Sequence, residues 1–129
     1  MHWVMKKIAS SLTYQDARGS IETIFGGQSW KEVNKFVSEK GAIRGNHYHK
    51  DTMELLFILS GKIKITIKNV HTQHIQQVML CENEGMLIEP FELHTVEVLE
   101  KTEWLGLLSK EYDKDHPDVF KESEHGSRG

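Results

Sequence analysis

The segment Lys62–Lys68, KIKITIK, limits the fold more than any other stretch of this chain. Ile63, Ile65 and Ile67 alternate with Lys62, Lys64, Thr66 and Lys68, and only an extended backbone sends successive side chains to opposite faces. That pattern predicts a strand buried on one side and wet on the other. Short runs rich in Ile, Val, Phe and Thr recur between glycine- or charge-bearing breaks, and no long helical period competes with them. An all-β chain with little helix is therefore expected. Such strands protect their edges by closing or by stacking two sheets, which predicts a small antiparallel barrel or jelly roll. A length of 129 residues suits one domain over 1–129, able to bury roughly two thirds of its unfolded surface. Residues 1–10 read as an N-terminal strand or arm, and the polar close 122–129 reads as a disordered tail.

Two other strands carry more information. ELLFILS (Glu54–Ser60) is apolar at both parities, so Leu55, Phe57 and Leu59 are expected to meet something outside their own barrel, most economically a second subunit in a homodimer. In LHTVEVLE, His94 shares a parity with Val96 and Val98, which predicts an inward imidazole. Turns are expected at Gly26–Gly27, at Ser60–Gly61, around ENEG and at Pro90, with KDHPD closing the last ordered segment.

Composition excludes several function classes. The formal charge of −3 leaves no basic surface for nucleic acid. No apolar span suits a membrane helix, the opening MHWVMKK lacks the core of an export signal, and the lone Cys81 has no internal disulfide partner. A cytoplasmic protein with a small-molecule partner is the expectation.

The chemistry concentrates between Gly41 and Gly61, where His47 and His49 share a face of one strand and Glu54 follows the polar break KDT. His94 comes from a distant strand. Three imidazoles and a carboxylate suit a divalent transition metal such as zinc, iron, nickel, copper or manganese rather than calcium. The alternative is a buried polar network without an ion. Arg44 and Arg18 suit a diphosphate, since a planar guanidinium meets phosphate with two parallel hydrogen bonds, but a structural salt bridge to Asp16 or another carboxylate is an equal alternative. His71 and His74 read as a solvated hairpin loop, and Cys81 as a small buried hydrophobe. Trp30, Trp104 and Phe91 suit either core or a sugar pocket. Tyr48 alternates with the histidines and is expected to face the other side of its strand.

The run Gly41, five residues, His47, one residue, His49, four residues, Glu54, six residues, Gly61 resembles the first cupin motif position for position. NEGMLIEPFELH is similar to the second motif, keeping Pro90 and His94 but carrying Phe91 where the family usually has glycine. Within the cupins, DARGSIETIF and IRGNHYHK resemble the RmlC-like sugar-nucleotide branch of keto-sugar epimerases and isomerases, and EYDKDHPDVF resembles the close of C-terminal cupin domains in capsular polysaccharide-synthesis enzymes. Thr52 stands where the capsular domains usually have lysine, and Glu54 where the 3,4-ketoisomerases usually have glutamine.

The resemblance implies a cupin barrel, or double-stranded β-helix. It also implies a metal held by His47, His49, Glu54 and His94, and proton transfer next to the ketone of a nucleotide-linked 4-keto sugar in polysaccharide biosynthesis. His47 matches the histidine that acts as base in the rhamnose-type epimerases; since one imidazole nitrogen cannot both bind metal and take a proton, its ligand role is preferred here. Tyr48 and Lys50, with Tyr14, are then the other candidate bases. Arg18 and Arg44 are the candidate substrate-binding residues. A metal-dependent cupin dioxygenase and a non-catalytic sugar-binding module are the alternatives.

Overall fold

The computed structural model describes residues 7–9 and 11–122. Its elements are β1 Lys7–Ala9, β2 Ser11–Asp16, β3 Gly19–Thr23, β4 Glu32–Ser38, β5 Ile43–His47, β6 Glu54–Asn69, β7 Ile75–Cys81, β8 Glu84–Ile88 and β9 Glu92–Leu108. Seven of them form one antiparallel sheet, and β2 and β3 form a separate hairpin. All-β architecture, expected from the recurring strand-like runs, is what the described residues adopt, with antiparallel strands as in the expected barrel or jelly roll. Of the proposed N-terminal arm and C-terminal tail, residues 1–6, 10 and 123–129 lie outside the described set. No described helix is long and apolar enough to cross a membrane.

Two long strands organise the sheet. The first part of β6 pairs β8 on one side and the last part of β9 on the other, while its second part pairs β7 and the first part of β9. The free side of β9 is taken by β5 near its start and by β4 near its end. Both strands thus belong to two layers, ordered β1-β8-β6-β9-β4 and β7-β6-β9-β5. Leu56, Ile58, Met86 and Trp104 of the first layer meet Ile63, Ile65, Leu80 and Val96 of the second in one core. The alternation in KIKITIK is realised as read, with its isoleucines in that core.

Ser60–Gly61 is not a turn between strands. It lies inside β6, at a bulge where the register with β9 shifts repeatedly between Ile58 and Ile63. A bulge of this kind lets a single long strand bend from one layer into the other without losing most of its ladder. Gly61 takes φ 104° there, and a Cβ would sit 2.6 Å from the Lys101 carbonyl oxygen and 2.7 Å from Thr102 Cα. The buried Thr102 hydroxyl accepts from the Lys62 N–H at 3.0 Å and so replaces a missing ladder bond.

Two sequence expectations need correction. Leu55 and Phe57 are 1% and 3% exposed within this chain, so neither requires a second subunit; of the three, Leu59 is exposed, at 37%. The expectation assumed a strand with one wet face, whereas this part of β6 is central in its layer, flanked by β8 and β9. Cys81, read as buried, is exposed at the end of β7.

Gly61→Ala is expected to cost about 2 kcal/mol or more of unfolding free energy in a denaturant titration, because it combines a strained left-handed backbone with a clash against backbone atoms. A loss below about 0.5 kcal/mol would show that the bend does not depend on this position.

Candidate functional site

The two layers splay at one end of the barrel and enclose a cavity of about 280 Å³. Its floor is polar and its walls largely apolar, with Phe36, Leu56, Val96, Trp104 and Leu108 contributing side chains. Strand periodicity explains how β4 takes part: Glu32, Asn34 and Phe36 share the parity that faces inward, and all three line the cavity. Phe36 stacks on Trp104 with ring centroids 4.4 Å apart, and the indole N–H donates to Ser38 Oγ at 3.1 Å. Trp104 is therefore both core and cavity wall. Gly106 keeps the floor open, since a Cβ there would come within 2.9 Å of the Phe36 ring and 3.2 Å of Glu54 Oε2.

His47, His49, Glu54 and His94 converge on this floor. His47 and His94 face each other across the β5–β9 ladder, beyond a bulge at Gly45 and Asn46, both of which have positive φ. Glu54 opens β6 in the opposite layer. One ring nitrogen from each histidine lies within 4.8 Å of the others, the described cluster with metal-binding geometry. Glu54 Oε1 lies 3.2 Å from His49 Nε2 and 3.6 Å from His94 Nε2.

In His49 and His94 the second ring nitrogen is already committed. His49 Nδ1–H donates to the Asp118 carbonyl at 2.6 Å, and His94 Nδ1–H donates to the Glu92 carbonyl at 3.1 Å. His47 is hydrogen-bonded to the backbone of Gly45. A carbonyl can only accept, so these contacts place a proton on Nδ1 of His49 and of His94 and turn both Nε2 atoms toward Glu54, a carboxylate that also only accepts. Lone pairs facing one another in a buried site repel. The arrangement is satisfied by a proton or a metal cation placed between them, and the donor set fits a divalent transition metal.

The titration behaviour follows from burial and from Glu54. Burial pulls His94 down to about 4 despite the neighbouring carboxylate. Burial and the like charge of His49 also lower His47. Burial acts against a charged His49 too, but the hydrogen bonds to Glu54 and to the Asp118 carbonyl outweigh it, so His49 is raised. Glu54, although deeply buried, is lowered by the hydrogen bond from His49 and by the surrounding imidazoles.

Other sequence candidates fall elsewhere. Tyr48 packs in a separate cluster with Val70, Leu93, Phe91 and Phe120, and Lys50 Nζ lies 4.1 Å from the Phe120 ring centroid; neither lines the cavity, so the structure does not place them as bases there. The one-residue alternation that turns His47 and His49 toward the cavity turns Tyr48 to the opposite face, where it is buried in its own cluster. Arg18 and Tyr14 belong to the β2–β3 hairpin, remote from the floor, and Arg18 pairs with Asp16 at 2.6 Å. Arg44 does line the cavity, with its guanidinium 5.3 Å from the Phe36 ring centroid. Phe91 takes the left-handed backbone expected of the glycine it replaces, φ 66°, and its ring packs against Tyr48 and His71 rather than in the cavity. Sequence reasoning missed Glu32 and Asn34, whose alternation in EVNKFVS was a legible signal. It also missed Tyr112 and Val119, which line the cavity, and Asp118, which contacts His49; all three come from an irregular segment without such a signal.

Comparison with known proteins adds three findings. The family described as polysaccharide biosynthesis C-terminal domain matches residues 14–120. No curated protein matches the sequence. Among solved structures, a double mutant of the QdtA 3,4-ketoisomerase from Thermoanaerobacterium thermosaccharolyticum, in complex with TDP, superposes with a TM-score of 0.75 at 26% identity, covering 94% of this chain and 89% of that one. The rmlC epimerase of Mycobacterium tuberculosis gives 0.72 at 17% identity, covering 85% and 65%. The capsular polysaccharide assembling protein CapF from Staphylococcus aureus gives 0.66 at 23% identity over 88% of this chain, which spans 34% of that protein.

The imidazoles are expected to separate in an NMR titration of the metal-free protein, with His94 protonating near pH 4 and His49 above the ordinary 6.5. Coincident titration of the two rings near 6.5 would contradict the burial of His94 and the Glu54–His49 contact.

Proposed function

The chain belongs to the polysaccharide biosynthesis C-terminal domain family, and from that premise we propose that it is an isomerase or epimerase of a nucleotide-linked keto sugar, with a divalent transition metal at its site. The observation that carries this reading is the floor of the cavity. His49 and His94, each tied by Nδ1 to a backbone carbonyl, present Nε2 toward Glu54, and His47 brings a third imidazole to the same cluster in a space walled by Phe36, Leu56 and Trp104. His47, His49 and His94 would hold the ion, with Glu54 beside them as the fourth ligand. When bound, a zinc, iron, nickel or manganese ion supplies Lewis acidity to a ketone oxygen, lowering the cost of the enediolate formed when the neighbouring carbon loses its proton.

The chain's own residues account for the rest. Arg44 at the cavity wall offers a fork of donors to a diphosphate, and its stacking near Phe36 limits the orientations it must give up on binding. The apolar walls exclude water and so strengthen every charge interaction at the floor. Glu32 and Tyr112 are cavity-lining oxygen groups outside the ligand set, and they replace Tyr48 and Lys50 as candidates for handling the proton. The structures of a 3,4-ketoisomerase bound to TDP and of an rmlC epimerase share this fold, which supports a sugar-nucleotide substrate.

A second reading rests on the 3.2 Å contact between His49 and Glu54. A proton shared there satisfies the same lone pairs without metal. It also leaves His47, lowered by burial and half-buried at the cavity, as a neutral base. Metal content separates the two.

Incubation with a TDP-linked 4-keto-6-deoxy sugar in deuterated water is expected to exchange the proton next to the ketone. Glu54→Ala, which removes both oxygen ligand and acceptor, should slow that exchange at least about 100-fold while the protein stays folded. Failure of the metal-loaded protein to exchange any member of a panel of such sugars would remove the reading.

Metal retention is expected to fall with pH, beginning at His49, whose proton affinity is raised and which must be neutral at Nε2 to bind a cation. Elemental analysis after dialysis at about pH 8 and about pH 5 should show a full and a depleted site. Equal content at both would exclude the imidazoles as ligands.

A further inference from the structure

After β9 the chain does not leave the barrel. Residues 109–120 run back across its open end as a strap fastened at four points. Ser109 N–H donates to the Met53 carbonyl at 2.9 Å while Met53 N–H donates to Ser109 Oγ at 2.8 Å. In the middle, Tyr112 N–H donates to Glu32 Oε1 at 2.9 Å. At the far end Phe120 and Tyr48 exchange both backbone hydrogen bonds at 2.9 Å.

The densest fastening is Asp118. Its carboxylate accepts from the backbone N–H groups of Lys50, Asp51 and Thr52 at 2.7 to 2.8 Å and from Thr52 Oγ1–H at 2.8 Å. Those four donors hold its carboxyl below the usual aspartate range even though burial acts the other way. Beneath the strap lies a second cavity of about 240 Å³, lined by Thr52, Lys110, His116 and Asp118 among others. Close packing therefore does not hold this segment down along its length, and hydrogen bonds take its place. Sequence position 52 matters here, because Thr52 supplies two of the four donors, its backbone N–H and its side-chain hydroxyl.

The same residue reaches the site by its backbone. Once the carboxylate is locked onto the loop after His49, the Asp118 carbonyl sits 2.6 Å from His49 Nδ1. His94 takes its tautomer from Glu92, two residues back on its own strand; His49 takes its tautomer from a residue 69 positions later in the chain. We propose that Asp118 is a positioning residue, whose side chain anchors the strap so that its carbonyl holds His49 in the Nδ1–H form with Nε2 aimed at the floor. This rests on the reading of that floor as a metal site only for its consequence, not for its geometry. A ligand imidazole held this way gains basicity and loses rotational freedom, and loss of such a partner weakens metal binding by about 10–100-fold.

The test uses the full chain and two readouts. In the metal-free protein at alkaline pH, where the ring is neutral, 15N shifts of His49 report which nitrogen carries the proton. Wild type is expected in the Nδ1–H form, and Asp118→Ala in a mixture with a substantial Nε2–H population. Zinc affinity, measured by competition with a chelator, is expected to fall about 10–100-fold in the same variant. Asp118→Asn, which keeps accepting oxygen but turns one acceptor into a donor, should lie between, and serves if the alanine variant fails to fold. Thr52→Val removes one of four donors and should leave the tautomer unchanged. Retention of the Nδ1–H form in both Asp118 variants overturns the positioning role. If wild type binds no zinc, the function proposed above fails while the tautomer readout still decides this inference. A tautomer change without loss of zinc affinity overturns its consequence for the metal.

Discussion

A carboxylate taken out of water costs several kcal/mol unless its surroundings replace the lost hydration, and Glu54 is such a carboxylate. It is buried at the start of β6 with His49 and His94 against one oxygen. The imidazoles cannot turn their N–H groups toward it freely, because backbone carbonyls of Asp118 and Glu92 have already taken them. What remains is a small, buried volume ringed largely by acceptors. Such a site is stable when something positive occupies it, and this demand links the folding of the barrel to its chemistry.

The jelly roll makes the convergence possible. β6 and β9 each pass through both layers, so Glu54 and His94, which begin those strands, are delivered from opposite layers to the same end of the barrel. The bend at Gly61 permits this, and the small side of Gly106 leaves room for the carboxylate. Neither glycine touches a substrate pocket through chemistry of its own. Each acts by what it lacks.

The C-terminal strap adds a remote support to that frame. His94 borrows a carbonyl from Glu92, two residues back on its own strand. His49 stands just past β5, where the chain is leaving the ladder, and its orientation comes from residues more than sixty positions away. The order of the site is thereby coupled to the order of a segment that has no regular structure. Tyr112 and Val119 from the same segment form part of the cavity wall.

The all-β class, the buried face of KIKITIK, the inward His94 and the grouping of His47, His49 and Glu54 were legible from residue order alone, because period-two alternation and fixed spacing are local properties that any strand expresses. Alternation likewise places Tyr48 away from its histidine neighbours, and it made Glu32, Asn34 and Phe36 readable as one face. Other features lay beyond that reach. Whether Ser60–Gly61 turns the chain or bends it depends on β9 pairing across the bulge, and whether Leu55 and Phe57 are covered depends on how β6 is flanked. Likewise, Arg18 is committed to Asp16 while Arg44 faces the cavity, a division set by which hairpin leaves the barrel. Asp118 is the extreme case. Its role comes from three backbone N–H groups and one imidazole brought to it by loop closure, and contacts of that kind have no period in the sequence, so only the tertiary structure could decide them.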